Sequence, residues 1–403
     1  MPSQTPEVDV VIVGGGVAGL WLLDELMRAG YQVLLLEAEK LGHGQTVAAQ
    51  GIIHGGLKYA LDELFSPSAE AIKDMPLVWR ECRSGARAPD LRAVKLRSEF
   101  CHLWRSDSLR SRLGMVGARA GLRVTPIKLR AREVPPVLSG CPGEVYRIDE
   151  QVVDPASLLE ALAGPHRERL LRIDGREGVE WGLGRPGRVE RLRLRAPGGR
   201  AADLEVCPRT VVFTAGCGNA ALREQVGLEP RLMQRRPLRM VMLRGDLPWL
   251  NGHCTDGAKT RVTISSSHDR AGRCVWQVGG QVSEDGVAMT AEDVVRHARR
   301  ELSAVLPGVS FAGVEWSSYL IDRAEAARPG GKRPTDASSV AEGNVITAWP
   351  TKLALAPRLA EQIRGSLAPP AASGLAPSAL AGWPRPELAA PPWEGPGPWF
   401  ADP

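Results

Sequence analysis

Three glycines near the start of the chain, Gly14, Gly16 and Gly19, have a spacing that suits nucleotide chemistry. They follow the β-branched run of residues 8–13, which is typical of a buried parallel strand, and they open a stretch with helical periodicity. In this spacing the first glycine permits a tight turn, the second lets the backbone approach a pyrophosphate, and the third lets helix and strand pack closely. The positive end of the helix dipole attracts phosphate. The pattern therefore predicts a dinucleotide site that includes Gly15.

Glu37 supports the same interpretation because it ends the next predicted strand, residues 32–37, and stands 18 residues after Gly19. A carboxylate at this place can accept a hydrogen bond from a ribose hydroxyl. Strand, helix, second strand and terminal acid form one βαβ unit of about 30 residues. The complete unit is far more specific than the glycines alone, and it predicts a nucleotide-binding domain at the start of the chain.

The sequence after Glu37 resembles the flavin-dependent oxidoreductases of the D-amino-acid oxidase superfamily. Residues 54–59 read His-Gly-Gly-Leu-Lys-Tyr, a run similar to the branch that holds glycerol-3-phosphate dehydrogenases and 2-hydroxyglutarate oxidases. The family's crossover into its nucleotide domain, its late strand and turn, and its last strand, loop and helix resemble residues 151–155, 210–216 and 344–357. The resemblance implies FAD, rather than NAD, as the cofactor.

The resemblance also implies which residues contact FAD besides the glycines and Glu37. The additional contacts are Gln45, Thr46, Val153, Ala215, Gly216, Thr351 and Leu353. Gln45 and Thr46 occupy a loop that is rich in serine in the family, and here the loop continues with apolar residues. The last helix is expected to point its N-terminal N–H groups toward the flavin ring, where a positive dipole stabilises reduced, anionic flavin.

The same resemblance implies the catalytic residues. Flavin N5 takes a hydride from a carbon that bears a hydroxyl or an amine, and the protein must accept the heteroatom proton and hold the substrate. His54 lies on the loop that runs beneath the flavin in this family and is the expected base, with Tyr59 beside it. Lys352 is expected to polarise the substrate oxygen or to stabilise reduced flavin. Packing roles for His54 and Tyr59 stay open.

A small anionic substrate requires positive groups in the same region. Arginine binds carboxylate and phosphate through a fork of two N–H bonds. The resemblance implies substrate contacts from Lys58, Arg323, Arg328 and Arg333. Residues 235–239 resemble a family strand that enters the substrate domain, although a solvated run of charges is an equally open interpretation.

Cysteine and the remaining histidines give no indication of a metal site. The seven cysteines are odd in number and form no C-x-x-C pair, which indicates a reducing, cytoplasmic chain. Five histidines show no ligand spacing and are interpreted as ordinary surface or core residues: His102, His166, His253, His268 and His297. We therefore expect no metal.

The composition limits the classes of protein that the chain can form. The 403 residues are 43% hydrophobic and 24% charged, as in a soluble globular protein large enough for two domains. Collagen-like, coiled-coil and wholly disordered classes are excluded. The net charge of +5 is spread along the chain, so nucleic-acid binding is not indicated. We expect neither a secretory signal nor a membrane-spanning helix.

These residues must be positioned by an α/β fold, namely an FAD-binding Rossmann-like domain of the glutathione-reductase type with an inserted antiparallel α+β substrate domain. We expect the FAD-binding domain to comprise residues 1–80, 150–225 and 320–365 and the substrate domain residues 81–149 and 226–319. Residues 366–403 hold ten of the 32 prolines and predict an extended or disordered tail. Its tryptophans, Trp383, Trp393 and Trp399, are expected to pack loosely or to dock a partner.

The expected function is oxidation of a small anionic substrate at a CH–OH carbon, as in a 2-hydroxy acid or a glycerol phosphate. Three alternatives stay open: an amine or amino-acid oxidase acting at a CH–NH bond, a flavoprotein that acts on an intermediate held by a partner, and a non-catalytic FAD-binding protein. The expected electron acceptor is O₂, a quinone or a carrier protein. A quinone would bring the protein to a membrane surface without a spanning helix.

Overall fold

The computed structural model describes residues 5–55, 71–105, 126–175, 177–256, 259–372 and 374–401. The strands of these ranges are β1 Glu7–Val13, β2 Val33–Glu37, β3 Leu96–Ser98, β4 Cys101–Arg105, β5 Ile127–Lys128, β6 Tyr146–Ile148, β7 Val152–Val153, β8 Leu170–Arg172, β9 Val179–Arg185, β10 Arg188–Leu194, β11 Leu204–Phe213, β12 Met233–Gly245, β13 Gly252–Asp256, β14 Lys259–His268, β15 Cys274–Gly279, β16 Glu315–Ala326, β17 Ser338–Glu342, β18 Val345–Trp349 and β19 Phe400–Ala401. The α-helices are α1 Val17–Arg28, α2 Met75–Ser84, α3 Pro155–Ala163, α4 Asn219–Gln225, α5 Gln281–Asp285, α6 Ala291–Val305 and α7 Ala356–Ser366.

The first sheet is the nucleotide-binding sheet that the glycine pattern predicts. Its strands follow the order β17-β18-β11-β1-β2-β8, and β9 and β10 continue from β11. β1 pairs in parallel with both β2 and β11, so its valines and isoleucine are buried on both faces. Helices α1, α2, α3 and α7 contribute to the apolar core on one face. This arrangement places the end of β1 and the start of α1 at the centre of the sheet edge.

The second sheet is the predicted antiparallel layer. Its order is β19-β16-β12-β15-β14-β13-β4-β6-β5. α6 packs its apolar stripe, including Val295 and Leu302, against the strand residues Trp276 and Trp316. The sheets confirm the predicted α/β class with an added antiparallel substrate layer. β16 belongs to this second sheet along its whole length, so the chain returns to the first sheet after Ala326 rather than at residue 320.

The C-terminal segment is packed against both sheets. Trp383 lies in the core cluster of the first sheet and donates its indole N–H to the carbonyl of Arg172 at 2.8 Å. Trp393 is buried with Met242 of the second sheet, and β19 pairs with β16 at its edge. These contacts differ from the expectation of a disordered or loosely packed tail, because its tryptophans fill apolar space that the body of the protein leaves open.

Within the described ranges, none of the helices has the length and hydropathy that a membrane-crossing segment needs.

Candidate active site

The glycine loop between β1 and α1 has the shape of a pyrophosphate cradle. Gly14 has a φ of 113°, and a Cβ on it would lie 2.6 Å from the backbone of Ala215. A Cβ on Gly19 would overlap the carbonyl oxygen of Gly14, so this glycine permits the close helix packing. At Gly16, the N-cap of α1, a Cβ would meet only the hydroxyl of Thr46 at 3.3 Å. The surface beside Gly16 is therefore accessible, and the residues present fit the phosphates of FAD.

Glu37 holds the glycine loop at the end of β2. Its Oε2 accepts the N–H of Gly15 at 2.7 Å, and its Oε1 accepts the N–H of Glu39 at 2.7 Å. Burial raises the pKa of this carboxyl, and the two N–H bonds oppose that effect. A carboxylate has about four lone-pair sites. Glu37 therefore retains capacity to accept a ribose hydroxyl.

The two polar loop residues that follow β2 hold the loop in place. Thr46 accepts the N–H of Val17 at 3.1 Å, so it bonds to the first turn of α1. Gln45 accepts the N–H of Ala324 at 3.1 Å, which links the loop to β16 of the second sheet. A Cβ on Gly216 would lie 3.4 Å from the Gln45 oxygen. Gln45, Thr46 and Gly216 therefore converge on the glycine loop, where the contacts to FAD are expected.

Two further FAD candidates lie at strand ends near this loop. Ala215 follows β11, and its N–H donates to the side chain of Asn219 at 2.8 Å. Val153 is buried in β7, and its N–H donates to the carbonyl of Gly51 at 2.9 Å. The contact with Gly51 belongs to a short pairing of residues 51–53 with residues 151–153. This pairing determines where the next residue, His54, lies.

His54 faces a buried carboxylate. Its Nδ1 lies 3.1 Å from Oε2 of Glu150, and the other carboxylate oxygen accepts the N–H of Gly55 at 2.8 Å. His253 of β13 approaches the same Oε2 with its Nε2 at 3.5 Å. Burial alone raises the pKa of Glu150, but its interactions with the two histidines outweigh burial and hold that pKa well below its usual range. The side chain of His54 is 19% exposed, whereas Glu150 is fully buried.

Lys352 lies in the turn before the last helix. The preceding Thr351 has a φ of 63°, the only positive φ of a non-glycine residue in the described ranges, and its hydroxyl donates to the carbonyl of Asp336 at 2.8 Å. The ammonium of Lys352 donates to the carbonyl of Thr335 at 3.2 Å. Burial, together with the positive charge of Arg333, lowers the pKa of Lys352 to about 7. Backbone outliers of this kind cluster at functional sites.

The expected substrate arginines are only partly brought together. Arg323 donates to the backbone carbonyl of Arg236 at 3.2 Å, and burial with the charges of Arg236 and Arg333 lowers its pKa. The fully buried carboxylate of Glu325 lies 3.3 Å from the guanidinium of Arg236. Arg323 and Arg333 therefore belong to one positively charged cluster with Lys352.

The other predicted residues of this region do not join that cluster in the part of the chain that the structure describes. Arg328 is exposed on the turn after β16, where its N–H donates to Gln234 at 3.0 Å. Leu353 is half-buried and starts a single helical turn that leads into α7. Lys58 and Tyr59 lie outside the described residues.

Three residues of the site were not among the sequence candidates. Glu150 directly precedes the segment 151–155, which resembles the family's crossover into its nucleotide domain, and its position beside that motif is a signal in the sequence. His253 was interpreted as an ordinary residue, because its relation to His54 arises only from the pairing of distant strands. Arg236 lies in the charged run of residues 235–239, for which a solvated strand edge is also an open interpretation.

The three ligand-type side chains His54, Glu150 and His253 also lie within 4.8 Å of one another, a separation that a metal ion could bridge. The sequence gives no indication of a metal site, but the structure contains this candidate set of metal ligands. The carboxylate of Glu150 already has hydrogen-bond partners in His54 and Gly55.

Comparison with known proteins agrees with this geometry. The family model "FAD dependent oxidoreductase" (DAO) matches residues 9–344. A probable FAD-dependent oxidoreductase of Pseudomonas aeruginosa, PA4991, is 40% identical over 401 residues, which are 97% of this chain and 98% of that protein. Its crystal structure superposes with a TM-score of 0.80 at 37% identity, covering 98% of this chain and 99% of the other.

Two further relatives match less completely. A glycine oxidase from Geobacillus kaustophilus shares the fold, with a TM-score of 0.62 at 19% identity over 89% of this chain and 94% of its own. An aerobic glycerol-3-phosphate dehydrogenase of Staphylococcus haemolyticus is 32% identical over 76 residues, which are 19% of this chain and 14% of that protein. The expected closeness to the glycerol-3-phosphate branch is therefore limited to a part of the chain. The near full-length matches and the glycine cradle together show that this chain is an FAD-dependent oxidoreductase and belongs to the DAO family.

Proposed function

We propose that this enzyme oxidises a small anionic substrate at a carbon that bears a hydroxyl group, as in a 2-hydroxy acid or a glycerol phosphate. The observation that carries the proposal is the positive cluster that the buried Lys352 forms with the half-buried Arg333, which in turn lies near the half-buried Arg323. Like charges in a low-dielectric site repel one another strongly. A carboxylate or phosphate bound there would relieve this repulsion and would be held by charge-assisted hydrogen bonds.

The preference for a hydroxyl over an amine follows from the need for a base. An amine can enter as its neutral form and lose a hydride without a prior proton transfer, whereas a hydroxyl must release its proton as the carbonyl forms. His54 is the residue proposed to accept that proton. It lies on the loop after the segment that is expected to contact FAD, and its Nδ1 is 3.1 Å from the carboxylate of Glu150. The partial similarity to glycerol-3-phosphate dehydrogenases points in the same direction.

Bound FAD supplies the hydride acceptor. The residues proposed to hold it are Gly14, Gly15, Gly16, Gly19, Glu37, Gln45, Thr46, Val153, Ala215, Gly216, Thr351 and Leu353. Lys352 is proposed to hold the substrate oxygen or anion on the side of the last helix. Tyr59, Lys58 and Arg328 remain predicted contributors. Arg328 is exposed, and the contact seen for it in the described ranges is that of its backbone N–H with Gln234. The predicted electron acceptor is O₂, a quinone or a carrier protein.

A substrate screen by anaerobic bleaching of the flavin tests this proposal. The screen should span 2-hydroxy acids, glycerol phosphates, and N-methyl and D-amino acids. Bleaching by a hydroxy compound and not by amines is the expected result, and Lys352→Met should then slow reduction while FAD stays bound. Lys332→Met is the matched control, because Lys332 is exposed on the same segment. Bleaching by amines alone would replace the proposal with amine oxidation.

A further inference from the structure

We infer that the C-terminal segment belongs to the FAD site: residues 383–389, called here the C-terminal strap, position the glycine loop that is proposed to hold the pyrophosphate. The strap acts through the turn at Leu41 and Gly42 and does not need to touch the cofactor. This role depends on the proposed place of the FAD phosphates and is independent of the substrate.

The first half of the strap is fixed to the edge of the nucleotide-binding sheet. β8 is an edge strand of that sheet, and the backbone N–H of Arg172 donates to the carbonyl of Pro384 at 2.9 Å. The indole N–H of Trp383 donates to the carbonyl of Arg172 at 2.8 Å, and the guanidinium of Arg385 donates to that of Leu170 at 2.9 Å. These bonds satisfy backbone groups that an edge strand would otherwise expose. The strap therefore starts from a fixed place beside β8.

The second half of the strap is bonded to the turn that follows β2. The N–H of Leu41 donates to the carbonyl of Glu387 at 2.8 Å, and the N–H of Ala389 donates to the carbonyl of Leu41 at 3.0 Å. The side chains of Leu41 and Ala389 are both buried in the apolar core that the helices form on one face of the first sheet. Because both backbone polar groups of Leu41 are bonded to the strap, the turn cannot shift without breaking those bonds.

The same turn holds the glycine loop at Gly15. The N–H of Gly42 donates to the carbonyl of Gly15 at 2.8 Å, and a Cβ on Gly15 would lie 2.5 Å from the side chain of Leu41. The N–H of Gly15 is already held by Glu37 at 2.7 Å. In a planar trans peptide the C=O and the following N–H point in opposite directions. The bond from Gly42 therefore directs the N–H of Gly16 away from the turn, where it can donate to a phosphate.

The strap and the cofactor are thus linked through consecutive backbone hydrogen bonds, and this linkage is reciprocal. If the attached strap favours the FAD-binding shape of the glycine loop, bound FAD must favour the attached strap by the same factor. The net contribution of one hydrogen bond corresponds to about a two- to tenfold change in an equilibrium constant. We therefore expect effects of this size on FAD affinity and on the opening of the strap.

Hydrogen exchange of the wild-type protein, with saturating FAD and after removal of FAD, tests the reciprocal effect without any substitution. The N–H of Ala389 should exchange about two- to tenfold more slowly when FAD is bound, because its exchange requires the strap to open. The N–H groups of β19, at the edge of the second sheet, are the internal control and should exchange at the same rate in both states. An unchanged rate at Ala389, or equal slowing at Ala389 and in β19, would overturn the inference.

Ala389→Pro tests the forward effect, because proline removes the N–H that bonds to Leu41. Ala390→Pro is the matched control, since Ala390 is exposed and its N–H makes no hydrogen bond within the described ranges. The fluorescence of FAD released on dilution of the holoenzyme should show an affinity about two- to tenfold weaker in Ala389→Pro and unchanged in Ala390→Pro. The visible spectrum of the FAD that stays bound should match that of the wild type, because the glycine loop is proposed to hold the phosphates rather than the flavin ring.

A general structural defect would give a different result from loss of the strap. It would weaken FAD binding equally in both proline variants or would change the flavin spectrum of Ala389→Pro, and either result would overturn the inference. If Ala389→Pro does not fold, the exchange rates of the wild type decide the question alone. Neither measurement needs a substrate, so an unproductive substrate screen would contradict the proposed function and leave the role of the strap intact.

Discussion

Lys352 shows how position changes the chemistry of one residue. A lysine in water is charged at neutral pH, but burial and the neighbouring Arg333 lower its pKa from 10.5 to about 7. Between these two values the unfolded chain binds the proton more tightly than the folded protein, so this group makes folding more favourable as pH rises through that window. The protonated form, however, is the one that attracts an anion. The proposed binding of an anionic substrate at Lys352 and the folding of the protein therefore depend on pH in opposite directions.

The affinity for an anionic ligand should fall as pH rises above about 7, because Lys352 loses its charge. The measurement is the dissociation constant of the substrate, or of a non-reducing analogue, from the perturbed flavin spectrum between about pH 6 and pH 9. In Lys352→Met the dependence should be lost, and in Lys332→Met it should persist. The same slope in all three proteins would remove Lys352 from the binding site.

Gly16 should be intolerant of a branched side chain because that side chain would occupy the space for the pyrophosphate. Gly16→Val is expected to fold and to lose the visible absorbance of bound FAD. Gly365→Val is a suitable control, since Gly365 lies in the last turn of α7 with nothing within 4 Å of a Cβ. Retention of flavin by Gly16→Val would contradict the cradle.

At the scale of elements, the position of His54 in the candidate site depends on the short pairing of residues 51–53 with residues 151–153. Neither segment is long enough to be stable alone, and each is held by its neighbours: Ile53 donates to the carbonyl of Gln151 at 2.9 Å, and Val153 donates to that of Gly51. This contact brings His54 to Glu150, although the two residues are 96 positions apart. The base of the proposed reaction is thus placed by two strands that belong to different parts of the sequence.

Gly51→Ala should disturb this pairing. Gly51 has a φ of 78°, and a Cβ on it would overlap the carbonyl of Val153. Gly30→Ala is the matched control, because Gly30 has a φ of 85° with nothing within 4 Å of a Cβ. The control should lose about 1–2 kcal/mol from backbone strain, and Gly51→Ala should lose more. Equal losses in urea unfolding would show that the close approach is unimportant.

At the scale of the whole molecule, the two sheets are joined by the C-terminal segment as well as by the loops between them. Trp383 is buried against the first sheet, Trp393 against the second, and the guanidinium of Arg97 lies 5.4 Å from the ring of Trp393. β19 then adds a short edge strand beside β16. The segment therefore contributes to the stability of the assembled protein by bridging both cores.

Trp393→Ala should lower the free energy of unfolding by about 3–5 kcal/mol, the usual cost of emptying a buried aromatic site. Trp249→Ala should cost less, because Trp249 is 42% exposed although it stacks on His268. Urea unfolding of both variants, followed by circular dichroism, makes the comparison. A Trp393→Ala variant as stable as Trp249→Ala would show that the tail is not a structural bridge.

The nucleotide-binding half of the molecule was predictable from local sequence. The spacing of Gly14, Gly16 and Gly19 between an apolar run and a helix encodes a backbone shape, and that shape is independent of the rest of the chain. Glu37 could be identified for the same reason. The alternating strand pattern predicts the antiparallel sheet. It does not predict where the chain leaves this sheet, because the sequence of β16 is compatible with a strand of either sheet.

Sequence alone thus determined the fold class and the cofactor and led to the proposed region of the chemistry, since each depends on short motifs with local backbone consequences. Tertiary structure alone decided which charged residues meet: Glu150 and His253 at His54, and Arg333 rather than Arg328 near Lys352. It also decided that a proline-rich tail is packed. These outcomes depend on strand pairing between distant segments and on apolar surfaces left uncovered, and no local pattern of residues carries that information.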